Sequence, residues 1–562
     1  MAPKPNSSAY SKGAFLPDAS SVLYALLAGG VLVFILWPTL AILKESVLVD
    51  GAFSLERYGD LLTGNRTLLK NSLFVGWWTT VLAVLIGLCC ALYVTRTSFR
   101  GKRAVLGVLL LTLISPPFVS SLSYIMLFGR RGLVTWRLLG LRWSPYGAHG
   151  IVLMESVGLA AVAAFLIMAV LRGIDRSLEQ ASFDLGAGKW ATLLRVTLPL
   201  ARPGIVTAAL IVFIRSLSDF GTPMFIGGNY NVLATQAYMT AVGSNDLPKA
   251  AAISTLLVVP AFFVFLVYRK LMAGAPLFSS KSVASGEERS LPGAVRWFVF
   301  AVVWSFVLFE AMKYGAIFCG AFVRTWGVDF SFTLNHLSTL RLTKLGSLLR
   351  SVRYAFAAAL IAGAMGVVLA RFLGRRATLF SRAVDFIADL PFILPGPFFG
   401  IAYLLAFNRL PEAFLGTGFL IVANCVYRQL SLGIKSGVSV LGQINPELED
   451  AVRDQGGGGL AVLRDVIGPL LAPAFLVSFI NTFTFTMTTI GGIIFLITPY
   501  TKVLTAEMFD AIQSGDIGAS SVMASVIILV AMTVNAAFSW LLLKRRTKGS
   551  EAEYVSSVGA AR

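Results

Sequence analysis

From Leu178 to Pro203 the chain reads LEQASFDLGAGKWATLLRVTLPLARP, a polar stretch between two long apolar runs. From Leu448 to Pro473 it reads LEDAVRDQGGGGLAVLRDVIGPLLAP, again between apolar runs. A shift of 270 positions superposes the two without a gap: Glu179 on Glu449, Ala181 on Ala451, Asp184 on Asp454, Gly186 on Gly456, Gly188 on Gly458, Pro199 on Pro469 and Pro203 on Pro473. Self-similarity at a fixed offset signals a repeated architecture. With a period near half of the 562 residues, it divides the chain into two related halves.

The material between the repeats decides what the halves are made of. Hydrophobic residues are 56% of the chain and charged residues 13%, against about 25% charged in soluble domains. Mean hydropathy is +0.78. Apolar runs recur at 22–43, 72–95, 104–128, 151–171, 204–226 and 250–271, and again at 295–322, 351–372, 383–407, 416–434, 474–497 and 521–543. Each is long enough to cross a bilayer core of roughly 30 Å as a helix. The fold class expected is all-α and polytopic, with about 12 transmembrane helices in two homologous six-helix halves, 22–272 and 295–543. A polar tail (1–21), a Ser- and charge-rich linker (273–294) and a second tail (544–562) flank them. The first run is too long for a signal-peptide core. Beyond the polar loop, Phe213, Gly221 and Phe225 match Phe483, Gly491 and Phe495, while Pro116, Tyr124 and Phe128 match Pro395, Tyr403 and Phe407 at an offset of 279.

A net charge of +19 raises the question of nucleic acid. Lys and Arg lie in short loops beside apolar runs, which is the pattern of membrane topology instead. Twelve crossings put both tails, the linker and both repeated loops on one side. That side, counted to include 428–473, carries the larger share of Lys and Arg and is expected to be cytoplasmic, although Arg130, Arg131, Arg137, Arg142, Arg341, Lys344, Arg350 and Arg353 fall opposite. Cys89, Cys90, Cys319 and Cys425 sit in or beside apolar runs, with neither disulfide nor metal-ligand spacing.

In each loop the first part lacks Gly and Pro and can form a short helix, which Gly186 and Gly456 then end. Pro199 and Pro203 are expected to steer the chain back into the membrane. Glu-x-Ala, Gly five residues on and Pro thirteen after that together resemble the EAA loop of binding-protein-dependent ABC importer permeases, over roughly 71–270 and 350–543. The resemblance implies that Glu179, Gln180, Ala181, Asp184 and Gly186 contact one cytoplasmic ATPase subunit, and that Glu449, Asp450, Ala451, Asp454 and Gly456 contact a second copy. Gln180 and Asp450 stand where the motif has its second Glu. It further implies an extracytoplasmic substrate-binding protein and the bacterial inner membrane, with both termini cytoplasmic.

The phrase DLGAGKW (184–190) contains Gly-Lys. A phosphate loop would need Gly at 183 and Ser or Thr at 190, where Phe183 and Trp190 stand. The chain is therefore expected to be no enzyme and to hold no cofactor, ATP and magnesium being bound by the partner ATPase. With two His and no HExxH or GxSxG spacing, an intramembrane enzyme finds no support.

Ionisable residues within membrane helices cost about 2.5–3.5 kcal/mol each at mid-depth and are functional candidates by default. Arg215 and Asp219, four apart, are expected to share a helix face and to pair. Their counterparts Phe485 and Thr489 do not repeat the pair, and the surrounding run offers Thr484, Thr486, Thr488 and Thr489 as polar pathway candidates. Asp385, Asp389, Glu310 and Lys313 can sit at an interface or pair locally, Glu155 near the outer end of its run is expected to snorkel, and His149 and His336 stand alone in outer loops. SLSDFGTPMFIGGNY (216–230) and VLATQAYMTAV (232–242) look most like the ferric-iron branch of the family. Aminoethylphosphonate, thiamine and polyamine systems are alternatives, and an ion-coupled secondary transporter is a different class of answer.

Overall fold

The computed structural model describes residues 19–49, 51–64, 66–141, 144–272, 291–375, 378–408 and 417–559, the side chains of Ala19, Arg176, Arg269, Met272 and the residues after 541 excepted. Most of the expected linker, the N-terminal tail to residue 18 and the outer loop 409–415 lie outside them.

The apolar runs are helices. In chain order they are α1 (Ser20–Val47), α2 (Arg66–Arg96), α3 (Lys102–Ile114), α4 (Pro117–Phe128), α5 (Ala148–Gly173), α6 (Arg176–Asp184), α7 (Lys189–Ser218), α8 (Gly221–Ile226), α9 (Leu233–Tyr238), α10 (Leu247–Met272) and α11 (Gly293–Gly320). The second half continues with α12 (Asn335–Arg375), α13 (Leu379–Ile393), α14 (Gly396–Phe407), α15 (Phe419–Leu441), α16 (Glu447–Asp454), α17 (Gly459–Leu470), α18 (Ala472–Thr488), α19 (Leu504–Gln513) and α20 (Ile517–Gly559). Among the described residues, 8 helices are long and apolar enough to cross a membrane, or up to 11 if each bent pair is one span. The remaining expected crossing is α15, which has 23 residues but carries Arg428 and Lys435.

Proline explains two of the bends. A residue before proline is pushed out of helical geometry, and proline itself fits the first helical turn. Ser115 and Pro116 are extended, Pro117 starts α4, and α3 meets α4 at 106°. In the second half Leu394 and Pro395 are extended, Pro397 lies in the first turn, and α13 meets α14 at 118°. The expected single helices 104–128 and 383–407 are thus broken at the same place in both halves.

Two expected helices end early. The run 204–226 stops at Ser218 because Asp219 leaves helical geometry and its carboxylate accepts the N–H groups of Gly221 (2.9 Å) and Thr222 (3.2 Å), starting α8. The run 474–497 stops at Thr488, and the chain then turns through Gly491 and Gly492. In the first half, Pro199 and Pro203 are built into the unbroken α7 and do not mark its start. In the second, α17 and α18 meet at 71°.

Contacts sort the helix ends into two levels. At one level Arg96 and Arg375, closing α2 and α12, meet the polar loops through Glu179 and Glu449. The start of α1 joins them through Tyr24 on Phe372, and the start of α11 through Arg296 over Phe99. At the far level Gly147 donates to the Ile226 carbonyl, Asn71 to that of Asn231, and Arg350 to that of Lys502. The repeat holds in detail here, because Ser72 accepts the N–H of Leu233 and Ser351 that of Leu504, both at 2.8 Å.

The halves exchange their first helices. Helix α1 packs on the second half, with Phe34 stacked on Tyr427 at 4.9 Å and the Tyr403 hydroxyl donating to the Phe34 carbonyl. Helix α11 packs on the first, with Phe309 stacked on Phe128 and Trp304 Nε1 donating to the Tyr93 hydroxyl. Between the halves, toward the far level, Phe118, Phe220, Phe225 and Tyr238 close around Phe509 of α19, with centroids 5.1–6.0 Å away. These rings form an aromatic junction between the halves.

Candidate functional site

Each polar loop is a short helix, a left-handed glycine and a second helical start. In α6, Asp175 caps the N-terminus by accepting the Ser177 N–H at 2.9 Å. The helix ends when Gly186 adopts φ +83°, with its N–H on the Phe183 carbonyl and the Ala187 N–H on that of Ser182. In α16, Gly456 has the same φ of +83°, with the equivalent bonds to Arg453 and from Gly457 to Val452. Only glycine adopts this conformation without a Cβ penalty.

The two glutamates make contacts within the chain. Glu179 faces inward, where it accepts from Arg96 Nε and the Thr197 hydroxyl, both at 2.9 Å; the same arginine donates to the Leu171 carbonyl. Glu449 accepts from Arg371 Nε at 3.2 Å and Arg375 Nε at 3.0 Å. Both carboxylates tether their loop to the end of α2 or α12 and are largely removed from solvent, so they are anchors. The exposed faces are Gln180, Ala181, Asp184, Leu185 and Gly186 on one loop, and Asp450, Ala451, Asp454, Gln455 and Gly456 on the other. Gln180 donates to Asp184, while Asp450 pairs with Arg453.

Between the halves the charged residues are arranged differently from the expectation. Arg215 and Asp219 do not pair. The helix ends between them, and Asp219 spends its carboxylate on Gly221 and Thr222, including the Thr222 hydroxyl at 2.5 Å. Arg215 is exposed. Glu155 is buried, well inside α5 rather than snorkelling at its end, and accepts from the Thr79 and Ser216 hydroxyls.

The threonines diverge. Thr484 accepts from Asn535 of α20 and so faces away from the junction. Thr486 is buried with its hydroxyl on the Thr482 carbonyl. Thr488 and Thr489, at the helix end, remain partly exposed. Asp385 and Asp389 both pair with Lys435 of α15, at 2.8 and 3.1 Å. Glu310 and Lys313 form a fully buried pair within α11. His336 is not isolated, since its ring meets the Val323 carbonyl and borders a far-level cavity of about 340 Å³ beside Lys344, Lys502, Glu507 and Asp510.

Sequence reading missed Arg428 and Asn424. Arg428 falls within the expected run 416–434 but is counted with the loop-side charges; it lies in the middle of α15, over the Phe485 ring at 5.0 Å. The repeat holds a signal for it: an offset of 270 places Arg428 on Gly158, a charge where the other half has no side chain.

Comparison with known proteins follows this geometry. Residues 83–273, which include α6 and α7, match the family model described as binding-protein-dependent transport system inner membrane component. The chain is 31% identical to the ferric transport system permease protein FbpB of Actinobacillus pleuropneumoniae, over 97% of this chain and 82% of that one. It is 31% identical to the putative ferric transport system permease protein FbpB 1 of Haemophilus influenzae, over 84% and 77%. A putative 2-aminoethylphosphonate transport system permease protein, PhnU of Salmonella typhi, is 26% identical over 44% of this chain and 89% of its own length.

Proposed function

This chain belongs to the binding-protein-dependent transport permeases, the membrane subunits of ABC importers, and we propose that the cargo it conducts is ferric iron. The observation that carries the cargo is coverage. The similarity to the ferric permeases runs through both fused halves, 97% of the chain in one case, whereas the aminoethylphosphonate permease matches only 44%.

In this reading the level that holds α6 and α16 is cytoplasmic, and both termini lie there. One copy of the ATPase seats on Gln180, Ala181, Asp184 and Gly186, the other on Asp450, Ala451, Asp454 and Gly456. ATP and magnesium belong to that partner, and this chain adds no catalytic group. Glu179 and Glu449 transmit force: each ties its loop to the helix that precedes it by more than 70 residues, so displacement of the loop moves α2 or α12 with it. The extracytoplasmic binding protein delivers cargo to the far level, closed here by the rings around Phe509. Alternating access then consists of parting those rings while the loop level closes. Arg215, Asp219, Thr488 and Thr489 lie where the halves meet; Thr484 and Thr486 support the helix from behind.

The test is uptake of radiolabelled ferric iron in bacterial cells lacking their own ferric importer, given this chain with its cognate ATPase and binding protein. Uptake that depends on all three supports the reading. Uptake of 2-aminoethylphosphonate without iron uptake overturns it.

A further inference from the structure

Arg428 is a partly buried cation midway along α15 with no ion pair among the described residues. Its Nη1 is enclosed and has no hydrogen-bond partner. One turn earlier on α15, Asn424 is fully buried, and neither its Nδ2 nor its Oδ1 has a partner. Buried polar groups are rarely left this way, and two of them on adjacent turns point to a missing ligand. The surroundings leave room for the guanidinium by design. A side chain at Gly492 would collide with Arg428 Nη1 and come within 2.9 Å of Asn424 Oδ1, and one at Gly396 would come within 3.3 Å of Arg428 Nη2.

The local charge balance adds to this. Arg215 of the other half lies within electrostatic reach of Arg428, is exposed, and has no ion pair among the described residues. The acids on these helices bond elsewhere: Asp219 to Gly221 and Thr222, Glu155 through Oε2 to Thr79 and Ser216 with its Oε1 left unpartnered, and Asp385 and Asp389 to Lys435. Two like charges therefore face one junction in a membrane protein, where unpaired charge is expensive. The Phe485 ring supports the Arg428 plane from one side. A guanidinium fork matches two oxygens of a carboxylate, carbonate or phosphate, and the Asn424 amide supplies a further donor.

We propose that Arg428 and Asn424, assisted by Arg215, bind an oxyanion that crosses as a ligand on the cargo. A bare trivalent cation would be repelled by both arginines, whereas an oxygen-ligated complex is attracted. The cargo part rests on the ferric reading above; the anion site does not.

The test uses the purified full-length chain in detergent. Its thermal unfolding midpoint is followed against phosphate and citrate, with chloride at equal ionic strength as control. Phosphate and citrate should raise the wild-type midpoint saturably. R428Q should weaken that response at least about tenfold, the scale of one lost charge-assisted contact, while leaving the anion-free midpoint equal or higher. N424D places a carboxylate beside Arg428; it should raise the anion-free midpoint and flatten the response. The same saturable response in R428Q and wild type overturns the proposal, as does no response beyond chloride. A fall in the R428Q anion-free midpoint with the anion response retained also overturns it. Ferric citrate should act at lower concentration than citrate; equal concentrations overturn the cargo-borne ligand. Failure of iron uptake in cells would sink the cargo reading alone, because anion binding is measured on the chain by itself.

Discussion

One arginine and a threonine hold the glutamate of the first loop; two arginines hold that of the second. The backbones around them agree closely, down to a glycine at φ +83° in each. The path beyond differs again, since α7 runs on as one span while α17 and α18 meet at 71°. Turn shape depends on a residue without a Cβ and is retained. The arginine that closes the helix is retained, Arg96 at the last position of α2 and Arg375 at the last of α12, and the second anchor adds Arg371 one turn earlier where the first uses Thr197. The halves are alike in the turn and in the arginine that closes the helix, and unlike in the second group that holds the glutamate, a neutral hydroxyl in one and a further charge in the other.

Breaking the anchors should give the largest effect. Removing one partner of a buried ion pair costs about 3–5 kcal/mol. E449A strands two arginines and should fall in that range; E179A strands one, which keeps its bond to the Leu171 carbonyl, and should cost less. Thermal unfolding of the two purified variants decides this, and equal losses would erase the asymmetry. Next come the turns. G186V and G456V each force a branched side chain into left-handed geometry, at about 1–2 kcal/mol. A Cβ at either glycine meets nothing within 4 Å, so the two losses should match, and ATPase co-purification should drop equally for both.

A smaller effect is expected at the far level, where the second half has Glu507 and the first has Gln236 at the corresponding place. Burial alone would push the Glu507 carboxyl up, but the hydrogen bond from Lys344 and the charges of Lys502 and Lys344 outweigh it and hold it below the usual range. A depressed folded value stabilises above the ordinary carboxylate pKa, near 4.3, and that contribution is lost as pH falls through the folded value. E507Q should therefore cost about 1 kcal/mol near neutrality, the partly exposed Lys344 screening the pair, and nothing in acid. A difference that persists in acid would break the assignment. The smallest effects belong to the exposed loop faces: Q180A and D450A each remove one contact within their own helix, worth about 0.2–0.5 kcal/mol. Their unfolding midpoints should scarcely move, whereas ATPase co-purification should fall; unchanged co-purification would remove these faces from the docking surface.

The repeat, the helical class and the glycine turns were legible because each depends on neighbours in sequence. The anchors were not. Glu179 looks like a docking residue until Arg96, 83 positions earlier, is brought beside it. The Arg215–Asp219 pair failed for the opposite reason. Spacing of four implies a shared face only while the helix lasts, and Asp219 itself helps to end it. Arg428 was passed over because, although it falls inside the expected run 416–434, it was counted with the loop charges of 428–473; α15 in fact runs on to Leu441 and keeps it within the helix.

The exchanged first helices set an order for synthesis. Helix α1 leaves the ribosome ahead of the other described helices, and the Tyr403 that bonds its Phe34 carbonyl comes 369 residues later. Until then its face toward Tyr427 and Phe407 has no protein to rest on. Helix α11 meets the opposite situation, because Tyr93 and Phe128 are already in place when it emerges. Contacts so distant along the chain close late, so α1 is among the last of the described helices to be secured, and a chain stalled after its first half would carry an unclasped α1 open to a foreign partner.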